Sequence, residues 1–279
     1  MIIDTHVHFW DPRALRYPWL EQIPALGRPF VPDDYDAATS GLPIEKLVVV
    51  ECDCDRSQGD RELKHFEALA KSDPRIAGIV AFVDLTRGAD VERALEAASG
   101  SPRVKGIRHN IQGEAPGFAL QPTFVDAVRK VGARGFVFEL CVTHDQLGDV
   151  IELVGSCPDT RFVLDHCAKP AIRDLSHEPW GVNIARLAER ENVVACKISG
   201  LLTEADHRRW RVEDVIPYAM HASDCFGASR VMYGSDWPVV TLAGEYLDWL
   251  DLTQRLTSSW TDEDRSAFYR DNAVRVYGL

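Results

Sequence analysis

The sequence predicts an α/β fold: one domain over residues 1–279, built as a single (β/α)8 TIM barrel. Short runs rich in Val, Ile and Phe recur at regular intervals. Most are continuously apolar, as a strand buried on both faces of a parallel sheet requires. Segments with helical periodicity separate them, and eight strands alternating with about eight helices over 279 residues is the barrel pattern. A doubly wound sheet lacks support, because no Gly-x-Gly-x-x-Gly or phosphate loop follows any run.

The strands are read at Ile2–His8, Leu47–Asp53, Gly78–Asp84, Val104–His109, Gly135–Cys141, Arg161–Cys167, Val193–Ser199 and Arg230–Asp236. Roughly thirty residues follow the first, more than an ordinary βα loop, so they are expected to form a lid or rim. Helical periodicity is clearest at Asp60–Lys71, where Leu63, Phe66, Leu69 and Ala70 share a face, and at Phe124–Gly132. It returns at Gln146–Ser156, Ile184–Glu191, Val215–Phe226 and Leu247–Leu256. Turn residues punctuate the joins: Asp73-Pro74, Gly100-Ser101-Pro102, Gly132 and Cys157-Pro158-Asp159.

Composition excludes several classes. With 46% hydrophobic and 27% charged residues the chain is an ordinary globular protein. A net charge of −12 argues against nucleic acid or an anionic membrane as partner. No apolar run approaches the roughly 20 residues of a membrane span, and no basic-then-apolar leader precedes the first strand. Cys52, Cys141, Cys167 and Cys196 sit inside apolar runs. They read as buried thiols of a cytoplasmic protein, not as a disulfide framework. Cys52 and Cys54 lack a second Cys/His pair with which to hold a metal. Oligomeric state is not legible.

Polar residues gather where the strands end, the face on which barrels build their active sites. His6 and His8, one residue apart, share a face of the first strand. Glu51 and Asp53 end the second strand, Arg108-His109 the fourth, and Glu139 lies on the fifth. Asp165-His166 end the sixth, with Lys169-Pro170 just after; the seventh carries Lys197 and Ser199. The eighth ends in Gly234-Ser235-Asp236-Trp237-Pro238. Such convergence predicts an enzyme.

In order, Asp4-Thr5-His6-Val7-His8-Phe9-Trp10-Asp11-Pro12, Tyr17-Pro18-Trp19-Leu20, Gly106-Ile107-Arg108-His109, Leu164-Asp165-His166-Cys167-Ala168-Lys169-Pro170, Lys197-Ile198-Ser199-Gly200-Leu201 and Gly234-Ser235-Asp236-Trp237-Pro238-Val239 span most of the chain. The set resembles the amidohydrolase superfamily of metal-dependent hydrolases, in the branch of sugar lactonases and 2-pyrone-4,6-dicarboxylate lactonase. The resemblance implies a distorted TIM barrel. The chain departs from the superfamily's binuclear pattern: the fourth strand offers Arg108 and His109, the fifth Glu139, and only the sixth a histidine. His6, His8, His166 and Asp236 remain, enough for one divalent ion such as Zn²⁺, and the branch also implies lactonases that work without metal.

The expected reaction is hydrolysis of an aldonolactone, with L-fuconolactone and L-rhamnonolactone as family-implied substrates. Asp236 is the expected general base. His6, His8 and His166 polarise the carbonyl, directly or through an ion. Arg108 assists or holds the product carboxylate, with an ion pair to Glu51 or Glu139 as its structural alternative. His109 is expected to pack and Lys197 to pair with a carboxylate inside the barrel. Glu51, Asp53 and Glu139 are expected to accept sugar hydroxyls, and Trp10, Trp19 and Trp237 to stack on the sugar's apolar face. Rival readings are a decarboxylase of the same superfamily, a lactonase for a dicarboxylate lactone, and a binding barrel without turnover.

Overall fold

The computed structural model describes residues 1–279. Eight parallel strands run in chain order: β1 (Ile2–Val7), β2 (Ile44–Val50), β3 (Ile76–Phe82), β4 (Val104–Arg108), β5 (Val137–Leu140), β6 (Arg161–Leu164), β7 (Val193–Ile198) and β8 (Val231–Tyr233). Around them lie α1 (Pro32–Ala38), α2 (Gly59–Ser72), α3 (Asp90–Ser99), α4 (Pro122–Ala133), α5 (Leu147–Ser156), α6 (Trp180–Ala188), α7 (Val212–Phe226) and α8 (Tyr246–Leu256). The chain closes with α9 (Asp262–Ser266), a π turn (Ala267–Asp271) and α10 (Asn272–Tyr277). The architecture is the distorted (β/α)8 barrel that the alternation predicts. No helix is long and apolar enough to cross a membrane.

Local chemistry sets the helix starts. An aspartate at the third position of α1, α7 and α8 accepts the N–H of the residue before the helix: Asp34 from Val31 (3.1 Å), Asp214 from Arg211 (3.0 Å) and Asp248 from Glu245 (2.7 Å). Each satisfies a donor the helix cannot use and places negative charge at its positive end. Pro122 opens α4, where a missing N–H does no harm.

Strand side chains alternate between two cores. Leu47, Val49, Ile79, Ile107, Phe138 and Leu164 belong to the large shell shared with the helices. Ile3, Val48, Val50, Val80, Val137, Val163, Ala195 and Met232 point inward and fill the amino-terminal half of the barrel. There they meet Ala273, Val276 and Tyr277 of α10, which plugs that end. Full burial of each larger apolar side chain contributes about 1.5–3 kcal/mol.

The barrel is distorted at one seam. β8 has three residues, and between β8 and β1 the backbone pairing is a single bridge, Val7 with Trp237. Other contacts complete the closure: Thr5 Oγ1 donates to Tyr233 O (2.6 Å), Ser235 N to Asp4 Oδ1 (2.8 Å) and Asp236 N to His6 O (2.9 Å). Asp4, fully buried, also accepts from Tyr35 (3.0 Å) and Tyr246 (3.2 Å). Three aromatic and polar side chains thus tie the seam to the helices outside it.

All eight strands end before the sequence pattern suggests. The predicted second, sixth and eighth strands run on through Asp53, Cys167 and Asp236, whereas β2, β6 and β8 stop at Val50, Leu164 and Tyr233. The reason is backbone conformation: Asp53, His166 and Asp236 have φ of 52°, 52° and 58°. No extended strand continues through such residues. The roughly thirty residues after β1 form a rim of short 3-10 turns at Pro18–Gln22 and Pro24–Leu26, followed by α1. Trp10 and Phe30 exchange backbone hydrogen bonds of 3.0 and 2.8 Å, closing the rim into a loop.

Candidate active site

Three histidines and one aspartate meet at the carboxyl end of the seam. Asp236 Oδ1 lies 3.4 Å from His8 Nε2, 3.8 Å from His6 Nε2 and 3.9 Å from His166 Nε2. The Nε2 atoms of His6 and His8 face each other at 3.1 Å. All four residues are buried. His8 Nδ1 sits 3.0 Å from Val50 O, which can only accept, so that nitrogen carries the proton and Nε2 presents a lone pair. His166 Nδ1 rests on Ser199 Oγ at 2.8 Å. Small residues make room for the cluster: a Cβ on Gly200 (φ +64°) would stand 2.6 Å from His166 Nδ1, and one on Gly234 would stand 2.9 Å from His6 Cβ.

The cluster tunes its own charges. Burial pushes the Asp236 carboxyl up, but His166, His8 and His6 outweigh it and hold the group far below the ordinary carboxylate range. Burial is also the main reason the His166 imidazole falls to about 4, so it is neutral near pH 7.

A second layer of charge lies beneath. Arg108 donates from Nε to Glu51 Oε1 (2.5 Å), from Nη2 to Glu51 O (2.7 Å) and from Nη1 to Asp165 Oδ2 (3.1 Å). Lys197 donates to Glu139 Oε2 (2.6 Å) and stands 3.2 Å from Asp165 Oδ1 and from His6 Nδ1. Tyr277 reaches up from α10 to donate to Glu139 Oε1 (2.5 Å). Glu51, Glu139, Asp165 and Lys197 are fully buried. Arg108 and Lys197 therefore form the internal ion pairs the sequence allowed. His109 accepts from Leu85 N (3.1 Å) and packs among Phe82, Phe118 and Phe124.

Above the cluster opens a cavity of about 270 Å³, at the small end of ligand sites. His8, His166, Asp236 and Arg108 line it, and His6 supports them from below. Of the residues expected to bind sugar, Trp10 and Trp19 line the wall, their rings 5.3 Å apart at 81°. Trp19 Nε1 donates to Cys52 O (2.8 Å), which fixes the rim to β2. Glu51, Glu139 and Trp237 lie elsewhere. The two glutamates sit in the lower layer, and Trp237 packs among Phe9, Phe30 and Tyr35. Asp53, the third carboxylate expected to accept sugar hydroxyls, does line the cavity, together with Asn110, Gln112 and Lys169, for which the sequence pattern offers no role. Asp53 shares a face with Glu51, but alternation gives the face and not the depth. Asp53 N donates to Glu51 Oε2 (2.7 Å), and Asn110 Nδ2 reaches Asp53 Oδ2 at 3.4 Å.

The amidohydrolase family profile matches residues 3–279. The chain belongs to this family. A curated relative, the L-fucono-1,5-lactonase of Burkholderia multivorans, is 33% identical over 99% of this chain and 96% of its own. The L-rhamnono-gamma-lactonase of Scheffersomyces stipitis is 24% identical over 100% of this chain and 98% of its own. Among solved structures, an amidohydrolase from Burkholderia multivorans with bound Zn superposes with a TM-score of 0.90 at 32% identity, covering 100% of this chain and 99% of that one.

The amidohydrolase site fits a divalent ion. His6, His8 and Asp236 bring ligand atoms within 4.8 Å of one another. Tetrahedral zinc with bonds near 2.0–2.1 Å places its ligands about 3.3 Å apart. The separations here, 3.1, 3.4 and 3.8 Å, bracket that value. Two imidazole nitrogens so close, one of them a lone pair, are the donors an ion would join.

Proposed function

We propose that this amidohydrolase hydrolyses the lactone of a deoxy-sugar acid, with L-fucono-1,5-lactone or an L-rhamnonolactone as substrate. One observation carries the reading: an ionised carboxylate ringed by three imidazoles at the floor of a cavity with one aromatic and one polar wall. Trp10, Trp19 and Ile23 offer surface to the apolar side of a deoxy sugar, and Asp53, Asn110 and Gln112 accept or donate to its hydroxyls. The 33% identity to an L-fucono-1,5-lactonase supports the same substrate class.

In the mechanism, Asp236 accepts a proton from a water placed between it and the lactone carbonyl. The hydroxide oxygen bonds to the carbonyl carbon, and the carbonyl electrons move onto oxygen. Collapse of this intermediate breaks the bond to the ring oxygen, which leaves with the proton from Asp236. Asp236, whose carboxyl lies far below the ordinary range, is ionised and free to accept. Arg108, fixed by Glu51 and Asp165, holds Asp165 against His6. His6, His8 and Asp236, with His166 beside them, are the residues that would hold a divalent ion. Such an ion, when bound, lowers the pKa of water and polarises the carbonyl. With its seven cysteines free, the protein suits a reducing cytoplasm.

The test is proton release from L-fucono-1,5-lactone, L-rhamnonolactones and a dicarboxylate lactone, with and without prior chelation. Turnover of a deoxy-sugar lactone well above spontaneous hydrolysis is expected. Turnover of the dicarboxylate alone would sink the reading.

A further inference from the structure

After β6, four consecutive non-glycine residues, His166, Cys167, Ala168 and Lys169, have φ of 52°, 52°, 58° and 47°. L-residues visit this region singly and rarely as a run. The left-handed turn is closed by bonds from Ala168 N to Asp165 O and from Lys169 N to His166 O, each 2.9 Å. It is clamped from outside: Trp180 Nε1 donates to Cys167 O (2.7 Å), and His144 Nδ1 to Lys169 O (3.0 Å). Cys167 and Ala168 are buried in the core, whereas the two ends of the turn, His166 and Lys169, line the cavity. Backbone held in so unfavourable a conformation at a cavity points to the side chains it aims.

Two cations line this cavity, and they differ. Arg108 hydrogen-bonds two carboxylates. Lys169 has one carboxylate within 4 Å, Glu204, whose Oε1 stands 3.9 Å from Nζ, beyond hydrogen-bond reach. An ammonium has three donors and no acceptor. Those of Lys169 are the cationic donors of the cavity that no protein carboxylate occupies.

We infer that Lys169 is a catalytic residue whose ammonium binds the lactone carbonyl oxygen, stabilises the oxyanion formed there and then holds the product carboxylate. The inference rests on the lactonase reading. Lys169 keeps its protons throughout: the bond to water oxygen forms, charge appears on the carbonyl oxygen beside Nζ, and collapse returns it as the ring oxygen leaves. The role assigned to Arg108 from sequence, retention of the product acid, passes to Lys169.

Binding and turnover separate this inference from the reading beneath it. Lys169→Met is expected to lower kcat/KM on the order of 10²–10³-fold, the loss seen when an oxyanion donor is removed. Calorimetry, which needs no turnover, is expected to show L-fuconate bound at least tenfold more weakly, with the neutral polyol L-fucitol within twofold. Added ethylammonium is expected to restore Lys169→Ala turnover at least tenfold, which a packing role would not allow. Should the methionine variant fail to fold, Lys169→Arg decides: L-fuconate affinity within about threefold of native supports the inference, and a tenfold loss overturns it. A folded Lys169→Met enzyme within threefold of native in both kcat/KM and L-fuconate affinity also overturns it. A native enzyme inert toward every aldonolactone yet losing L-fuconate affinity in Lys169→Met would sink the lactonase reading and leave the carboxylate site standing.

Discussion

Two layers of charge stand one above the other inside this barrel, made of the same residue types and put to opposite use. In the lower layer every cation meets carboxylates: Arg108 with Glu51 and Asp165, Lys197 with Glu139 and Asp165. In the upper layer Asp236 has only imidazoles around it at salt-bridge distance, and Lys169 only a distant Glu204. The lower layer is saturated with ion pairs; the upper is left open to whatever enters the cavity. Backbone follows the same division. Of the seven non-glycine residues with positive φ, all but Leu175 lie just past β2, β6 and β8, at the upper layer. Each such residue costs on the order of 1–3 kcal/mol, and the filled lower half of the barrel supports that strain.

Substitutions can break or sharpen this division. Asp236→Asn, in the open layer, is expected to lower kcat/KM on the order of 10³–10⁴-fold while circular dichroism stays native. Lys197→Met, in the saturated layer, leaves Glu139 and Asp165 short of a cation and is expected to destabilise by about 3–5 kcal/mol in urea. If the two variants exchanged phenotypes, the layers would have been assigned the wrong way round.

The third prediction concerns acid. In the folded, metal-free protein burial lowers the His166 imidazole to about 4, against its ordinary value near 6.5 when unfolded. Between those values the unfolded state binds the extra proton, so stability is full above about pH 6.5 and falls as pH drops toward 4. The loss is about 3 kcal/mol at most, and His166→Gln should flatten that part of the curve. Gly200→Ala puts a Cβ 2.6 Å from His166 Nδ1 at a φ of +64°. It is expected to destabilise by about 2 kcal/mol and to reduce turnover, by calorimetry and initial rates. The smallest effect belongs to the cavity's polar wall: Asp53→Ala should raise KM for a sugar lactone several-fold, about 1 kcal/mol, with kcat nearly unchanged.

How far the sequence reveals this arrangement depends on which physical rule is at work. Continuous apolar runs reveal all eight strands, because a parallel strand must be apolar on both faces. The same rule misplaces the strand ends: Asp53 and His166 follow apolar runs without an adjacent glycine or proline to announce that the backbone turns left-handed, and at the eighth strand Gly234 and Pro238 mark a turn whose left-handed residue is Asp236. Alternation puts Glu51 and Asp53 on one face, yet one is sealed under Arg108 and the other reaches the cavity, since depth along a strand has no period. Trp10 and Trp237 look equivalent in sequence, but the left-handed Asp236 sends the Trp237 ring into the rim packing. Lys169 stayed unassigned for a similar reason. Five residues past the end of β6, only an unusual turn brings its side chain to the site.

The plug beneath the barrel makes the site a long-range construction. Tyr277 of α10 seats Glu139 of β5, Glu139 holds Lys197 of β7, and Lys197 stands under His6 of β1. Contacts between segments so far apart in sequence form only after the loops between them have closed. The histidine pair is made locally by one short strand, but its floor exists only once the whole barrel has assembled around it.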